Sequence, residues 1–297
     1  MHITNVTWRP TENDAFEQGV LSWTGAEEPP KFTRLFPGDK LSWSIVGPRM
    51  CIGSRNEAGR LVPCPEHMVS RPGQVRCVSC AAVDFMNPCI RCTGRICNAS
   101  EERRISCEET DYVVYLAVFN DQTLKVGVST TKRVRTRWVE QGADFAAVLA
   151  ETRGGRAARR LEDLLRRRRG ATKQVRTQRK IASLMTQLDL TGAEELARRF
   201  ISSLQEVLPE HEVKLEDLSM YYNLDSLTAR PLPWRKRSEP MDGMQLLGEV
   251  VGMKGSLLVT RISSAFTVAN LRQLVGYTVD SDSPVRMVTQ SGLLDYI

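Results

Sequence analysis

Tyr112-Val-Val-Tyr-Leu-Ala-Val-Phe119 and Leu124-Lys-Val-Gly-Val-Ser129 are two runs rich in β-branched and aromatic residues, separated by the polar stretch Asn120-Asp-Gln-Thr123. Runs of this kind on either side of a polar break predict a β-hairpin. Side chains alternate faces along a strand, so Tyr115 and Lys125 share a face only if the loop has an odd number of residues. No Asn-Gly or Asp-Gly pair forces a two-residue turn, which leaves an odd loop open. Beyond the hairpin, Thr131 to Gln141 reads as a helix with Val134 and Trp138 on its buried face, which sets Arg137 beside that stripe. Phe145 to Ala150 reads as a short strand. Gly155 to Arg168 reads as a second helix, with Ala158, Leu161 and Leu165 in its apolar stripe and Glu162 leaning inward between them.

This order of elements and side chains resembles the GIY-YIG endonuclease superfamily: strand, strand, helix, strand, helix, with a tyrosine, a glycine, an arginine and a glutamate at set places. Val113-Val-Tyr115 stands where the GIY tripeptide would be, and Lys125-Val-Gly127 stands for YIG. Arg137-Trp138 is similar to the family's helix arginine, and Ala158-Arg-Arg-Leu-Glu162 to its Ala-x-x-x-Glu. The longer string from Val114 through Arg137-Trp-Val-Glu-Gln-Gly-Ala143 is similar to a prokaryotic family that joins a cysteine-rich zinc segment to this module. The resemblance implies phosphodiester cleavage with one Mg2+ or Mn2+ held by Glu162, Tyr115 as base and Arg137 as clamp on the phosphate. A hard divalent ion keeps several waters, so one carboxylate suffices as a direct ligand. Lys125 stands where the family usually has its second tyrosine. A tyrosine with pKa about 10 needs a nearby cation to work at neutral pH, and Lys125 is placed to be one. Read singly, Tyr115 is a packing residue and Glu162 a surface partner of Arg159 or Arg166.

The eight cysteines include Cys77-x-x-Cys80 and, eight residues later, Cys89-x-x-Cys92. That spacing suits four thiolates around one structural, tetrahedral zinc. Cys51, Cys64, Cys97 and Cys107 have no diagnostic spacing. The N-terminus lacks an export signal and no apolar run approaches membrane length, so a cytoplasmic protein with reduced cysteines is expected.

Charge is concentrated in one segment. The chain carries +6 overall, yet Arg153 to Lys180 holds twelve basic and two acidic residues, so the remainder is acidic. Arg166, Arg167, Arg168 and Arg169 follow the Glu162 helix directly, and with Arg133, Arg135 and Arg159 they form a candidate nucleic-acid surface, DNA or RNA. There is no G-x-x-x-x-G-K-[ST] and no G-x-G-x-x-G, and the three histidines stand apart from one another. Nucleotide hydrolysis, dinucleotide binding and a histidine-dependent triad have no support.

The expected fold class is α+β: a GIY-YIG-like small antiparallel sheet flanked by helices, with a zinc segment and β-rich ends. The expected organisation is a β-rich region 1–75 containing the strand Leu41-Ser-Trp-Ser-Ile45, a four-cysteine segment 76–108, the module 109–170, a helical segment 171–219 and a β-rich region 220–297. Within the helical segment Thr191-Gly-Ala-Glu194 is the expected capping box. The C-terminal strands, Gln245 to Gly252 and Gly255 to Thr260, are expected to form a small barrel that N-terminal strands could complete. Two functions compete, a metal-dependent nuclease and a zinc-containing nucleic-acid-binding protein on a retired nuclease fold. A third is an RNA-modification factor that uses free thiols such as Cys97 or Cys107.

Overall fold

A computed structural model describes residues 1–25, 29–71, 73–167, 170–172, 174–204, 206–207, 214–235 and 240–281. It is an α+β structure with several sheets and β-rich ends. Among the described residues, strands from both ends of the chain interleave in one nine-stranded sheet. Its order is Leu232–Pro233, Ala265–Asn270, Leu257–Ile262, Gln245–Lys254, Lys40–Val46, Thr278–Asp280, His2–Pro10, Phe16–Trp23 and Lys31–Arg34. The β-rich ends are therefore one sheet, because Lys40–Val46 pairs with Gln245–Lys254 on one side and Thr278–Asp280 on the other.

The central hairpin lies in a five-stranded sheet of order Ala171–Thr172, Leu124–Thr130, Asp111–Val118, Phe145–Arg153 and Glu216–Asp217. Its loop is Asn120 to Gln122, closed by Phe119 N donating to Thr123 O at 3.0 Å, with Gln122 left-handed at φ 62°. Three loop residues give the odd register. Tyr115 faces Gly127 and Ala117 faces Lys125, so Tyr115 and Lys125 lie on one face.

After Asp111 the strand Asp111–Val118 is an unbroken run of apolar and aromatic residues because both its faces are covered. Val113, Tyr115, Ala117 and Phe119 join Trp8, Trp43, Trp138 and Leu246 in a core shared with the nine-stranded sheet. Val114, Leu116 and Val118 pack with Ala158, Leu165, Ala197 and Phe200 on the other side. A 3-10 turn, Thr131–Arg133, leads into the helix Val134–Gln141, which ends at left-handed Gly142. Gly155–Arg166 is the second helix, with Ala158 and Leu165 buried; Arg168 and Arg169 lie outside the described residues.

The helix Leu190–Ser202 is capped by Asp189, whose carboxylate accepts from Gly192 N at 2.8 Å. The cap expected at Thr191 is thus inside the helix. An aspartate two residues earlier supplies the same oxygen and lets Leu190 and Thr191 become helical.

The module and the large sheet meet at two glycines. A Cβ on Gly255, in the turn after Gln245–Lys254, would stand 2.9 Å from Gly142 N and 3.1 Å from Glu140 O. Beside this contact Lys254 and Asp144 form a buried ion pair, their side chains 8% and 2% exposed. Asp144 also accepts from Asn120 N at 2.8 Å, and Trp8 Nε1 donates to Gly255 O at 2.7 Å.

Removing one partner of a buried pair strands the other charge. Lys254→Met is expected to cost about 3–5 kcal/mol in urea unfolding. Arg261→Ala, which breaks an exposed pair with Glu249, is expected to cost at most about 1 kcal/mol.

Candidate functional site

Two extended segments and one helix start bring four sulfurs together. Cys51, Cys64, Cys77 and Cys80 have Sγ atoms all within 4.8 Å of one another. The chain between the first two folds back as the short hairpin Ser54–Arg55 with Leu61–Val62. Cys77 caps the helix Val78–Val83 and accepts from Cys80 N at 3.4 Å. Cys51 Sγ accepts from Gly53 N at 3.3 Å and Cys77 N at 3.2 Å. Thiolates around tetrahedral zinc, at about 2.3 Å each, stand around 3.8 Å apart. Cys64 and Cys77 are 3.9 Å apart. Burial and the three neighbouring sulfurs push the Cys80 thiol well up, so four ionised sulfurs require a cation among them. The donor set fits a structural metal ion such as zinc.

The cluster corrects the expected ligand set. Cys77 and Cys80 are in it, while Cys89 and Cys92 are replaced by Cys51 and Cys64. Buried Asp84 explains the parting: it accepts from Arg55 N and Met86 N and pairs with Arg76 at 3.0 Å. It ties the cysteine hairpin to Val78–Val83 and starts the turn into Asn87–Ile90, which carries Cys89 away. Cys89 Sγ instead accepts from Arg103 Nε at 3.2 Å, and Cys92 Sγ from Gly94 N at 3.4 Å. Cys107 Sγ lies 3.7 Å from Tyr112 Oη. All eight cysteines, Cys97 included, are free of disulfides.

Tyr115 is 1% exposed, wedged between Gly127 and Trp138, whose ring lies 6.2 Å away edge-on. A Cβ at position 127 would come within 2.5 Å of the Tyr115 ring and hydroxyl, so only glycine admits the phenol here. Gln141, one turn after Arg137, links the polar groups. Lys125 Nζ donates to Gln141 Oε1, and Gln141 Nε2 donates to Tyr115 Oη. A lysine can only donate, which orients the amide. Lys125 thus reaches Tyr115 through an amide rather than directly. Burial nevertheless raises the Tyr115 pKa, with Glu162 adding to the rise and Arg137 and Gln141 opposing it.

Glu162 is 19% exposed and pairs with Arg159 at 2.9 Å. It borders a cavity of about 530 Å3 rimmed by Arg91, Arg95, Arg159, Arg166 and Arg167. Asp163 takes Arg166 at 2.6 Å and Arg167 at 2.8 Å. Arg133 pairs with Glu140 at 3.0 Å, and Arg137 stands 3.6 Å from the same carboxylate. Arg135 departs from the expected nucleic-acid surface. It binds both oxygens of Glu216, Asp14 and the Tyr221 hydroxyl, so it clasps the N-terminal strands to the module.

A second cavity, about 230 Å3, opens where the module meets the large sheet. Lys125, Arg137, Lys180 and Arg272 line it with Gln141 and Asn270. Lys180 donates to Gln141 O. Burial, then repulsion from Lys125 and Arg272, lowers the Lys180 pKa to about 7. Burial and Arg137 lower that of Lys125 to about 8, against Glu162. Gln141, Lys180 and Arg272 escaped the sequence reading. Gln141 alone had a signal there, its four-residue spacing from Arg137 on one helix face.

The described residues therefore define an α+β protein with a four-cysteine candidate metal centre and a basic site at a seam between sheets. The family model described as protein of unknown function (DUF2797) matches residues 38–279, and the chain belongs to that family. No curated protein and no solved structure matches it. No helix among the described residues is long and apolar enough to cross a membrane.

Elemental analysis is expected to find one zinc per chain, lost in Cys51→Ser and Cys64→Ser and kept in Cys89→Ser and Cys92→Ser. A second expectation concerns pH. With a folded pKa below the unfolded value of about 10.4, Lys180 is a burden when charged, greatest at and below pH 7 and fading as pH rises. Lys180→Met should therefore raise the melting temperature most near pH 6.5, with the gain over wild type shrinking towards pH 10.

Proposed function

We propose that the chain is a metal-dependent nuclease that cleaves phosphodiester bonds in DNA or RNA through a GIY-YIG-like site. The observation that carries this reading is the register of Tyr115 against Gly127, with Arg137 and Glu162 both in electrostatic reach of the phenol. Those four positions are the ones the family resemblance singles out. Glu162, partly exposed beside a roomy cavity, fits a single-carboxylate site for Mg2+ or Mn2+, and such an ion would supply Lewis-acid activation of the phosphate.

The chain's own residues divide the remaining work. Arg137, 42% exposed, offers its guanidinium to the phosphate, with Glu140 holding it from behind. Gln141 and Lys125 aim a chain of donors at the Tyr115 oxygen, which favours the phenolate needed for a base. Arg159 holds the Glu162 carboxylate in place. The exposed pairs of Arg133 and Arg167 exchange easily, so both arginines remain available to a nucleic-acid backbone. The cysteine cluster is structural in this scheme, since four thiolates close the metal's coordination.

One observation favours a second reading, a nucleic-acid-binding protein that no longer cuts. Tyr115 is enclosed and its pKa is shifted up, away from the phenolate. Incubation with single-stranded, duplex and branched DNA and structured RNA, each with Mg2+ or Mn2+, separates the two. On the nuclease reading wild type cleaves one of these, and Glu162→Gln and Arg137→Ala lose roughly 10²-fold or more. Binding without cleavage by wild type, or equal cleavage by wild type and Glu162→Gln, overturns it.

A further inference from the structure

The geometry points to a site for a doubly charged phosphate group, inorganic phosphate or a terminal phosphomonoester, in the cavity between the hairpin module and the nine-stranded sheet. Four cationic side chains from four separate segments converge on it: Lys125 from the hairpin, Arg137 from the first helix, Lys180 from Thr177–Ala182, and Arg272 just after Ala265–Asn270. One carboxylate, Glu140, lines the cavity with them. It is already shared among Arg133, Arg137 and the Thr7 hydroxyl. Lys125 and Lys180 spend a donor each on Gln141, a neutral partner. Among the described residues no carboxylate pairs with Lys125, Lys180 or Arg272 within salt-bridge distance.

Three of these cations, Lys125, Arg137 and Lys180, are half-buried and Arg272 stands exposed at the rim; in mutual repulsion they lack a counter-ion, and an anion of matching charge is what the site lacks. A carboxylate ligand carries one charge and would leave most of the excess standing. A phosphate dianion carries two and presents three oxygens, enough for both lysines and an arginine. Asn270 adds a neutral donor: Ser256 Oγ at 3.0 Å and Arg272 N at 3.2 Å occupy its oxygen, leaving its NH2 to donate. Size limits the ligand. At about 230 Å3 the cavity is smaller than pockets for drug-sized molecules, which start at about 300 Å3. It takes a phosphate group end-on, with any nucleoside or chain remaining outside. An internal diester, singly charged and with a substituent on either side, fits less well.

The inference does not depend on cleavage, since Lys180 and Arg272 lie outside the set Tyr115, Arg137 and Glu162. The test is isothermal titration at neutral pH, without added Mg2+ or Mn2+, of wild type, Lys180→Met, Arg272→Gln and Glu162→Gln. The probes are inorganic phosphate, a nucleoside 5′-monophosphate, and an oligonucleotide with and without a 5′-phosphate. Wild type and Glu162→Gln are expected to bind phosphate or the monophosphate, and the other two variants to bind it about tenfold more weakly. A 5′-phosphate that tightens oligonucleotide binding identifies a nucleic-acid end as the source of the group; indifference to it, with phosphate still bound, identifies the free ion. Absence of phosphate and monophosphate binding by wild type, or unchanged affinity in Arg272→Gln, an exposed position whose replacement spares the core, overturns the proposal.

Discussion

The close approach of Gly142 and Gly255, sealed by the Asp144–Lys254 ion pair, is the constraint on which the arrangement depends. Neither backbone turn tolerates a side chain there, since a Cβ on either glycine meets the other turn at about 3 Å. Gly142 is also the left-handed cap of the Arg137 helix, so the residue that ends the helix is the one that docks it. Burying a lysine and an aspartate is costly unless they are paired and hydrogen-bonded. Asp144 meets that condition by also holding the hairpin loop at Asn120. One pair thus fixes three things in common: the hairpin, the first helix and the turn of the large sheet. Trp8 locks the same turn through its indole, although its strand lies outside the span of the family match.

That docking creates the seam in which the basic cavity lies. With the helix end held against the sheet turn, Arg137 and Gln141 line one cavity with Asn270, Arg272, Lys125 and Lys180. The cations are brought together by packing elsewhere, and not by attraction to one another. Their lowered pKa values record that opposition. A fold that accepts such repulsion at a seam while pairing most of its other buried charges has a positive site at a fixed place, which is the usual signature of function rather than of stability.

Legibility in the sequence followed locality. The hairpin, its odd loop and the shared face of Tyr115 and Lys125 were readable because alternation and loop length act over a few residues. Glu162 and Arg137 were readable as helix positions for the same reason. The Cys77-x-x-Cys80 half of the cluster was legible, since a helix start sets its spacing. Its other half was not: Cys51 and Cys64 are joined by a hairpin whose fold-back leaves no fixed spacing, whereas Cys89-x-x-Cys92 has the right spacing and, among the described residues, joins no cluster of metal-ligating groups. The joining of N- and C-terminal strands in one sheet, and the arrival of Lys180 and Arg272 beside Lys125, depend on long-range contacts that leave no periodic trace. Arg135 has three partners distant in sequence, Asp14, Glu216 and Tyr221, that likewise leave no local trace.

Lys125 is where the chemistry turns on a single atom chain. A phenol at position 125 would be neutral and able both to give and to accept a proton. A lysine gives only, so Gln141 must present its oxygen to Lys125 and its NH2 to Tyr115. The phenol oxygen then accepts, so its own proton points away from Gln141. That donated hydrogen bond favours the phenolate. Burial works against it, because Gly127 and Trp138 exclude the water that would stabilise a phenolate. Burial is the larger effect, so the protein holds Tyr115 in its neutral state.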